Sequence, residues 1–267
     1  MTESAQIEDI LADRVSGASE IESRVLSNLE GLAGTDWSSV LDTLPDRLLE
    51  TFPQMANLRS LAEDLRQLAK EPASTDALRE FVTKRAADKA RRELRLSHVV
   101  TPLLPAGDLL VFTLSKSGTV LAVITDLVAA GRRVAVLVAE SRPGGEGARF
   151  ARELGDKGVK CRACDDFLLL SLVPKEAASR RPPGYIGSPV VLVGADGVHP
   201  DALVNKIGTR ALLETARLAE VPAFVLASST KIRNEASPRV LGSLFEAIPR
   251  YGTLVVSELG VLGGAAA

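Results

Sequence analysis

The stretch Leu109 to Ala130, LLVFTLSKSGTVLAVITDLVAA, leaves the chain few folds to choose from. The run Leu109 to Phe112 is continuous, apolar and short, the pattern of a strand buried in a parallel sheet. It breaks at Ser115-Lys116-Ser117-Gly118, and an apolar pattern of helical period follows from Val120 to Ala129. A strand that turns through Ser and Gly straight into a helix leaves backbone N–H groups unsatisfied at the helix start. Such a start receives anions, most often phosphate. Lys116 adds a positive charge, and the hydroxyls of Ser115, Ser117 and Thr119 add hydrogen-bonding groups.

From Pro102 onward short apolar strands alternate with amphipathic helices. Strands are expected at Leu109–Thr113, Arg133–Ala139, Val159–Cys164, Pro189–Val193, Ala223–Ala227 and Thr253–Val256, with helices near Val120–Ala130, Glu146–Lys157, Phe167–Leu172 and Lys206–Ala219. This alternation predicts an α/β fold with a Rossmann-like, mainly parallel, doubly wound sheet. Residues 5–96 read instead as helical, with apolar positions such as Ile21, Val25, Leu29 and Leu32 at three- and four-residue steps. Pro45, Pro53 and Pro72 punctuate these helices, and Ser19 with Glu22 has the spacing of a capping box. Two domains are expected, an N-terminal helical domain over 1–100 and a Rossmann-like α/β domain over 101–267. The run Lys84, Arg85, Lys89, Arg91, Arg92 and Arg95 reads as a solvated helix face, and the Pro-, Gly- and Arg-rich segment Lys175–Ser188 as a floppy loop.

A net charge of −2 and 4 % aromatic residues speak against a broad nucleic-acid surface. The polar, acidic start is no signal peptide, and no apolar run reaches membrane-spanning length, so a soluble, cytoplasmic protein is expected. Cys161 and Cys164 form a lone CxxC on an expected strand, where they point to opposite faces. Both read as small hydrophobes, and no metal site is implied.

Each strand delivers polar groups at its C-terminal end, where open α/β sheets bind ligands. These are Ser115 and Lys116, then Glu140, Ser141 and Arg142 before Gly144-Gly145-Glu146-Gly147, then Asp166, Asp196, and last Ser228, Ser229 and Lys231. Cations and amides would hold a phosphate while carboxylates accept from hydroxyls, so a small phosphorylated polyol is expected. Asp166 is read either as a ligand contact or as a helix cap, and Lys231 either as a site residue or as a solvated loop lysine. Neither S-K-S-G-T nor R-P-G-G-E-G fits the dinucleotide fingerprint or a P-loop. Nicotinamide chemistry is rejected, and no cofactor is implied.

The strings FPQMANLRSLA (52–62), TLSKSGTV (113–120), ESRPGGEG (140–147), GADGV (194–198) and NKIGT (205–209) resemble the initiation factor 2B family. DRVSGASEIESRVLSNL (13–29) is similar to that family's N-terminal helices and FEAIPRYGTLVVSELGVL (245–262) to its closing strand. The family holds regulatory subunits of translation initiation factor 2B together with methylthioribose-1-phosphate and ribose-1,5-bisphosphate isomerases. The resemblance implies that Asp196 and Ser115 stand at the isomerases' catalytic aspartate and cysteine positions. It also implies that Asn205 and Lys206 lie near substrate, and that Arg142 contacts phosphate. Lys116, Ser117, Gly118 and Asp166 complete the expected ligand-binding set.

A serine hydroxyl is far less acidic than a thiol and exchanges protons poorly at neutral pH without a neighbouring base. The regulatory subunits carry Ser-x-Ser in this turn, as here, and Phe52 replaces the arginine usual in the isomerases. The expectation is therefore a regulatory-subunit-like protein that binds a phosphorylated sugar or nucleotide. It would work as a homo-oligomer or with related subunits, without touching nucleic acid or membrane. The alternative is an aldose-1-phosphate isomerase that uses Asp196 and Ser115.

Overall fold

The computed structural model describes residues 3–32, 37–70, 74–240, 244–250 and 253–263. Five helices come first: α1 (Glu3–Ala12), α2 (Ala18–Gly31), α3 (Ser38–Thr51), α4 (Ala56–Leu68) and α5 (Thr75–Val100). Their apolar stripes meet in one core that includes Ile21, Leu29, Leu48, Leu58, Leu61, Leu65 and Leu78, each fully buried. Helix α5 is long enough to serve two cores. Leu78 and Val82 at its start pack among the helices, while Leu96 and Val100 at its end pack against the sheet.

The sheet has seven strands: β1 (Leu109–Leu114), β2 (Val134–Ala139), β3 (Lys160–Cys164), β4 (Ser188–Gly194), β7 (Ala223–Leu226), β9 (Leu254–Ser257) and β10 (Gly260–Leu262). Their order is β10-β9-β7-β4-β1-β2-β3, parallel except for the β9–β10 hairpin. All six residues of β1 are buried, which is why its sequence reads as an unbroken apolar run. Alternate residues feed opposite faces. Leu110, Phe112 and Leu114 meet α8 (Asp166–Leu172) and α9 (Thr209–Leu218), and Leu109 and Val111 meet α5, α6 (Gly118–Ala129) and α7 (Glu146–Asp156). Cys161 and Cys164 are free and pack on opposite faces of β3, and burial pushes their thiols up to about 12 and about 11.

A second, three-stranded antiparallel sheet, which the alternation did not predict, is built from β5 (Gly197–Val198), β6 (Ala202–Lys206) and β8 (Phe245–Pro249). Lys206 therefore ends a strand instead of opening a helix. Helix α9 starts only after Gly208, whose φ of +96° lies in a region that favours glycine. The segment read as one closing strand, 245–262, is split between the two sheets.

Four local expectations are corrected. Pro45 lies inside α3 and does not end it, and Pro72 falls outside the described residues. The α2 capping box is not formed: the N-cap is Gly17, and Glu22 turns inward. Arg85 is not on the solvated face but 7 % exposed, where its Nε donates to Glu22 Oε1 at 2.8 Å and its guanidinium also meets Asp64. The segment Lys175–Ser188 is folded: it opens with a 3-10 turn at Lys175–Arg180, and Arg181 donates to the carbonyls of Leu172, Val173 and Pro174.

Asn57 Nδ2 donates to Glu22 Oε2 at 2.9 Å and to the Ala18 carbonyl at 3.0 Å, so the buried pair ties α2, α4 and α5 together. Removing one partner of such a pair strands the other charge. Arg85→Met is expected to cost about 3 kcal/mol in urea unfolding with the slope unchanged. A loss no larger than that of an exposed arginine such as Arg91 would contradict the role given to this pair.

Candidate functional site

Strand order reverses between β1 and β4, and the ends of these two strands diverge there to leave a crevice. Above it the helical layer closes down. The Ala56 amide at the start of α4 donates to the Asp196 carbonyl at 2.8 Å, and the Cβ that Gly17 lacks would lie 2.8 Å from the Lys116 carbonyl. Between them lies a cavity of about 590 Å³.

Ser115, Lys116, Ser117, Gly118, Asp196, Asn205 and Lys206 all line this cavity. Ser117 caps α6 by accepting from the Val120 amide, and the first intrahelical bond runs from Leu121 N to the Ser117 carbonyl. The Gly118 end of α6 thus faces the cavity with the donor end of its helix. Ser115 has φ +60°, an uncommon conformation for a serine. It is held by a bond from its amide to Ser141 Oγ at 2.6 Å and one from its hydroxyl to Glu146 Oε1 at 3.0 Å. Asn205 is buried and donates to Thr209 Oγ1 at 2.9 Å.

Arg142 and Asp166 are not brought into the cavity. The Arg142 side chain is 73 % exposed and pairs with Glu140 at 3.1 Å. The Asp166 carboxylate accepts from the amides of Ser141 and Arg142 at 2.7 and 2.9 Å, so it shapes the loop after β2. The cap of α8 is Asp165.

Sequence reasoning passed over Glu146 and left Lys231 open. Glu146, 3 % exposed, accepts at Oε1 from Lys206 Nζ at 2.7 Å as well as from Ser115. Lys231, 5 % exposed, lines the cavity and donates to the Ala195 carbonyl at 2.6 Å. A glutamate after paired glycines at a helix start was the available signal for Glu146. Lys231 has none beyond its place after a strand.

Among the described residues the cavity wall carries five cations (Arg14, Lys89, Lys116, Lys206, Lys231) and five carboxylates (Asp13, Glu20, Glu146, Glu153, Asp196). Lys116 sits at 3.0 Å from both Glu20 and Glu153. Burial works to lower its pKa, but the bonds from these two carboxylates outweigh that and hold it above the usual lysine value. Burial raises the Asp196 carboxyl, against the pull of Lys231 and Lys206 and with a push from Glu146. It lowers the Lys231 ammonium, against the pull of Asp196. No three His, Cys, Asp or Glu side chains among the described residues gather where they could hold a metal ion, and no helix is long and apolar enough to cross a membrane.

A model of the initiation factor 2 subunit family matches residues 18–241. The chain belongs to this family. An eIF-2B subunit 2-like protein of Pyrococcus furiosus is 27 % identical over 96 % of this chain and 94 % of its own length. A methylthioribose-1-phosphate isomerase of Maridesulfovibrio salexigens is 28 % identical over 76 % of this chain, which spans only 60 % of that enzyme. Among solved structures, translation initiation factor eIF-2B from Pyrococcus horikoshii has a TM-score of 0.74 at 23 % identity, covering 97 % of this chain and 96 % of its own. The tetrameric eIF2B-beta2-delta2 complex from C. thermophilum has a TM-score of 0.72 at 17 % identity, covering 96 % and 90 %. At these identities the structural likeness is one of fold: an N-terminal helical domain followed by a mainly parallel sheet.

The raised Asp196 carboxyl fixes the sign of a pH effect. The folded protein holds this proton more tightly than the unfolded chain does, so the group's contribution to stability is full below the unfolded pKa near 3.9 and is lost as pH rises through the folded value. Asp196→Asn cannot lose it. The melting temperature of Asp196→Asn relative to the parent should rise between pH 4 and pH 7, whatever constant offset the substitution brings. A relative fall over that window would contradict the burial assigned to this carboxyl.

Proposed function

We propose that the chain is a regulatory-subunit-like member of the initiation factor 2B family. It binds a phosphorylated sugar or nucleotide in the cavity at the β1–β4 switch point and acts, in the cytoplasm, as part of an oligomer. The observation that carries the reading is the convergence on one cavity of the Gly118 end of α6, Lys116, Ser115, Asp196 and Asn205. Amides and an ammonium suit a phosphate, and carboxylates suit sugar hydroxyls. The near end-to-end match to an eIF-2B subunit 2-like relative supports the subunit reading over the isomerase one, as does serine in place of the isomerases' cysteine. Adjacent apolar side chains left in water at the start of α8, Phe167 at 83 % and Leu168 at 48 % exposure, suit a subunit interface.

One observation favours the second reading, an aldose-1-phosphate isomerase. The Ser115 hydroxyl does have a neighbouring carboxylate, Glu146, and across the same cavity lies Asp196, which keeps its proton to higher pH than an ordinary aspartate. A Ser–Glu relay with Asp196 as the partner acid is then the arrangement a proton transfer between neighbouring sugar carbons would use.

Thermal unfolding with ribose 1-phosphate, ribose 1,5-bisphosphate, methylthioribose 1-phosphate and AMP separates the readings when combined with an assay for ketose formation. Saturating amounts of at least one ligand should raise the melting temperature by several degrees, as a ligand at about 100 times its Kd stabilises by about 2.7 kcal/mol. No ketose should form. Turnover abolished by Asp196→Asn would favour the isomerase, and no shift with any of the four would overturn both readings.

A further inference from the structure

We propose that Glu146 is the specificity-determining residue of the cavity. It occupies the corner between the β1 turn and the end of β6 as a resident anion and bars phosphate from it. A phosphorylated ligand is thereby forced to present hydroxyls there and its phosphate at the α6 end. The identity of the ligand rests on the function proposed above; the behaviour of the corner does not.

The corner is already satisfied as an anion site. Glu146 Oε1 bridges the Ser115 hydroxyl at 3.0 Å and the Lys206 ammonium at 2.7 Å, the two donors a phosphate oxygen would otherwise take. Both side chains of the ion pair are under a tenth exposed, so the pair has little water to screen it. The second oxygen, Oε2, is buried and has no hydrogen-bond partner. It packs on Gly144, where an added Cβ would collide with Oε2 and come within 3.2 Å of Lys206 Nζ. Gly144, the first of the two glycines before α7, therefore makes the room into which the carboxylate folds. A phosphate entering this corner would face the carboxylate across a shared ammonium, a like-charge contact in a poorly hydrated place.

The Lys116 corner is built differently. Its two carboxylates, Glu20 on α2 and Glu153 on α7, are each about a third exposed, at 33 % and 34 %. These pairs are better hydrated than the Glu146–Lys206 pair, so they yield to an incoming anion before it does. Lys116 and the donor end of α6 can thus be released to a phosphate while Lys206 stays committed.

Titration calorimetry with inorganic phosphate compares the parent, Glu146→Gln, and the double variant Glu146→Gln/Lys206→Met. Glu146→Gln keeps the shape and removes the charge that occupies Lys206. It should bind phosphate roughly tenfold tighter than the parent, the worth of one charge-assisted hydrogen bond. The gain should vanish in the double variant. A residue with only a structural role would weaken binding or leave it unchanged when altered. Gly144→Ala, which keeps the charge but pushes it off Lys206, should shift affinity in the same direction and decides the matter if Glu146→Gln does not fold. No gain in either variant, or a gain that survives loss of Lys206, would overturn the proposal. Ribose 1-phosphate binding to the parent is measured alongside. Its absence would count against the proposed function while leaving the comparison of the variants intact.

Discussion

A charge taken out of water must be paired where it lands, and that constraint runs through the whole molecule. Lys206 meets Glu146 across the corner after β1, and Lys116 meets Glu20 of the helical layer and Glu153 of α7. Arg85 meets Glu22 beneath the helices that close the cavity. These pairs join segments far apart in the chain. The groups that line the cavity therefore also hold the helices over the strand ends. An apolar cavity of this size could be emptied and filled without disturbing its walls. In this one, an anion that takes Lys116 or Lys206 must displace a resident carboxylate.

The three polar corners differ in how easily they yield. The Glu146–Lys206 pair is buried and bonded to a hydroxyl. Asp196 and Lys231 face each other's charge under strong desolvation, which shifts both toward their neutral forms. The Lys116 pairs are more exposed than the Glu146–Lys206 pair. A ligand with one phosphate and several hydroxyls matches that division. On that proposal the phosphate would replace the half-buried carboxylates beside the α6 terminus, and the hydroxyls would donate to the carboxylates deeper in.

The run Leu109–Phe112 followed by Ser-Lys-Ser-Gly announced the strand, the turn and the helix, because full burial of a central strand and the freedom of a glycine leave direct marks in sequence. The parallel sheet followed from repetition of that pattern. The small sheet did not: β6 is buried at every position although it carries Asn205 and Lys206, and β8 ends in proline and pairs only with β6, so neither shows a strand's alternation. Glu22 and Arg85 were misread because a capping spacing and a charged helix face are local patterns, whereas their partners come from other helices. Arg142 and Asp166 stood at strand ends, as the cavity residues do, but the loop after β2 turns their side chains to water and to its own amides. Spacing along the chain says which loop a residue occupies, not which way that loop faces.

A crystal structure of the protein with ribose 1-phosphate bound tests the central claim most directly, that the cavity's resident carboxylates decide where a phosphate can sit. The account predicts phosphate over the Gly118 end of α6, with Glu20 or Glu153 turned away from Lys116 and the Glu146–Lys206 pair unbroken. Phosphate seated on Lys206 with Glu146 displaced, or a ligand held outside the cavity, would contradict it.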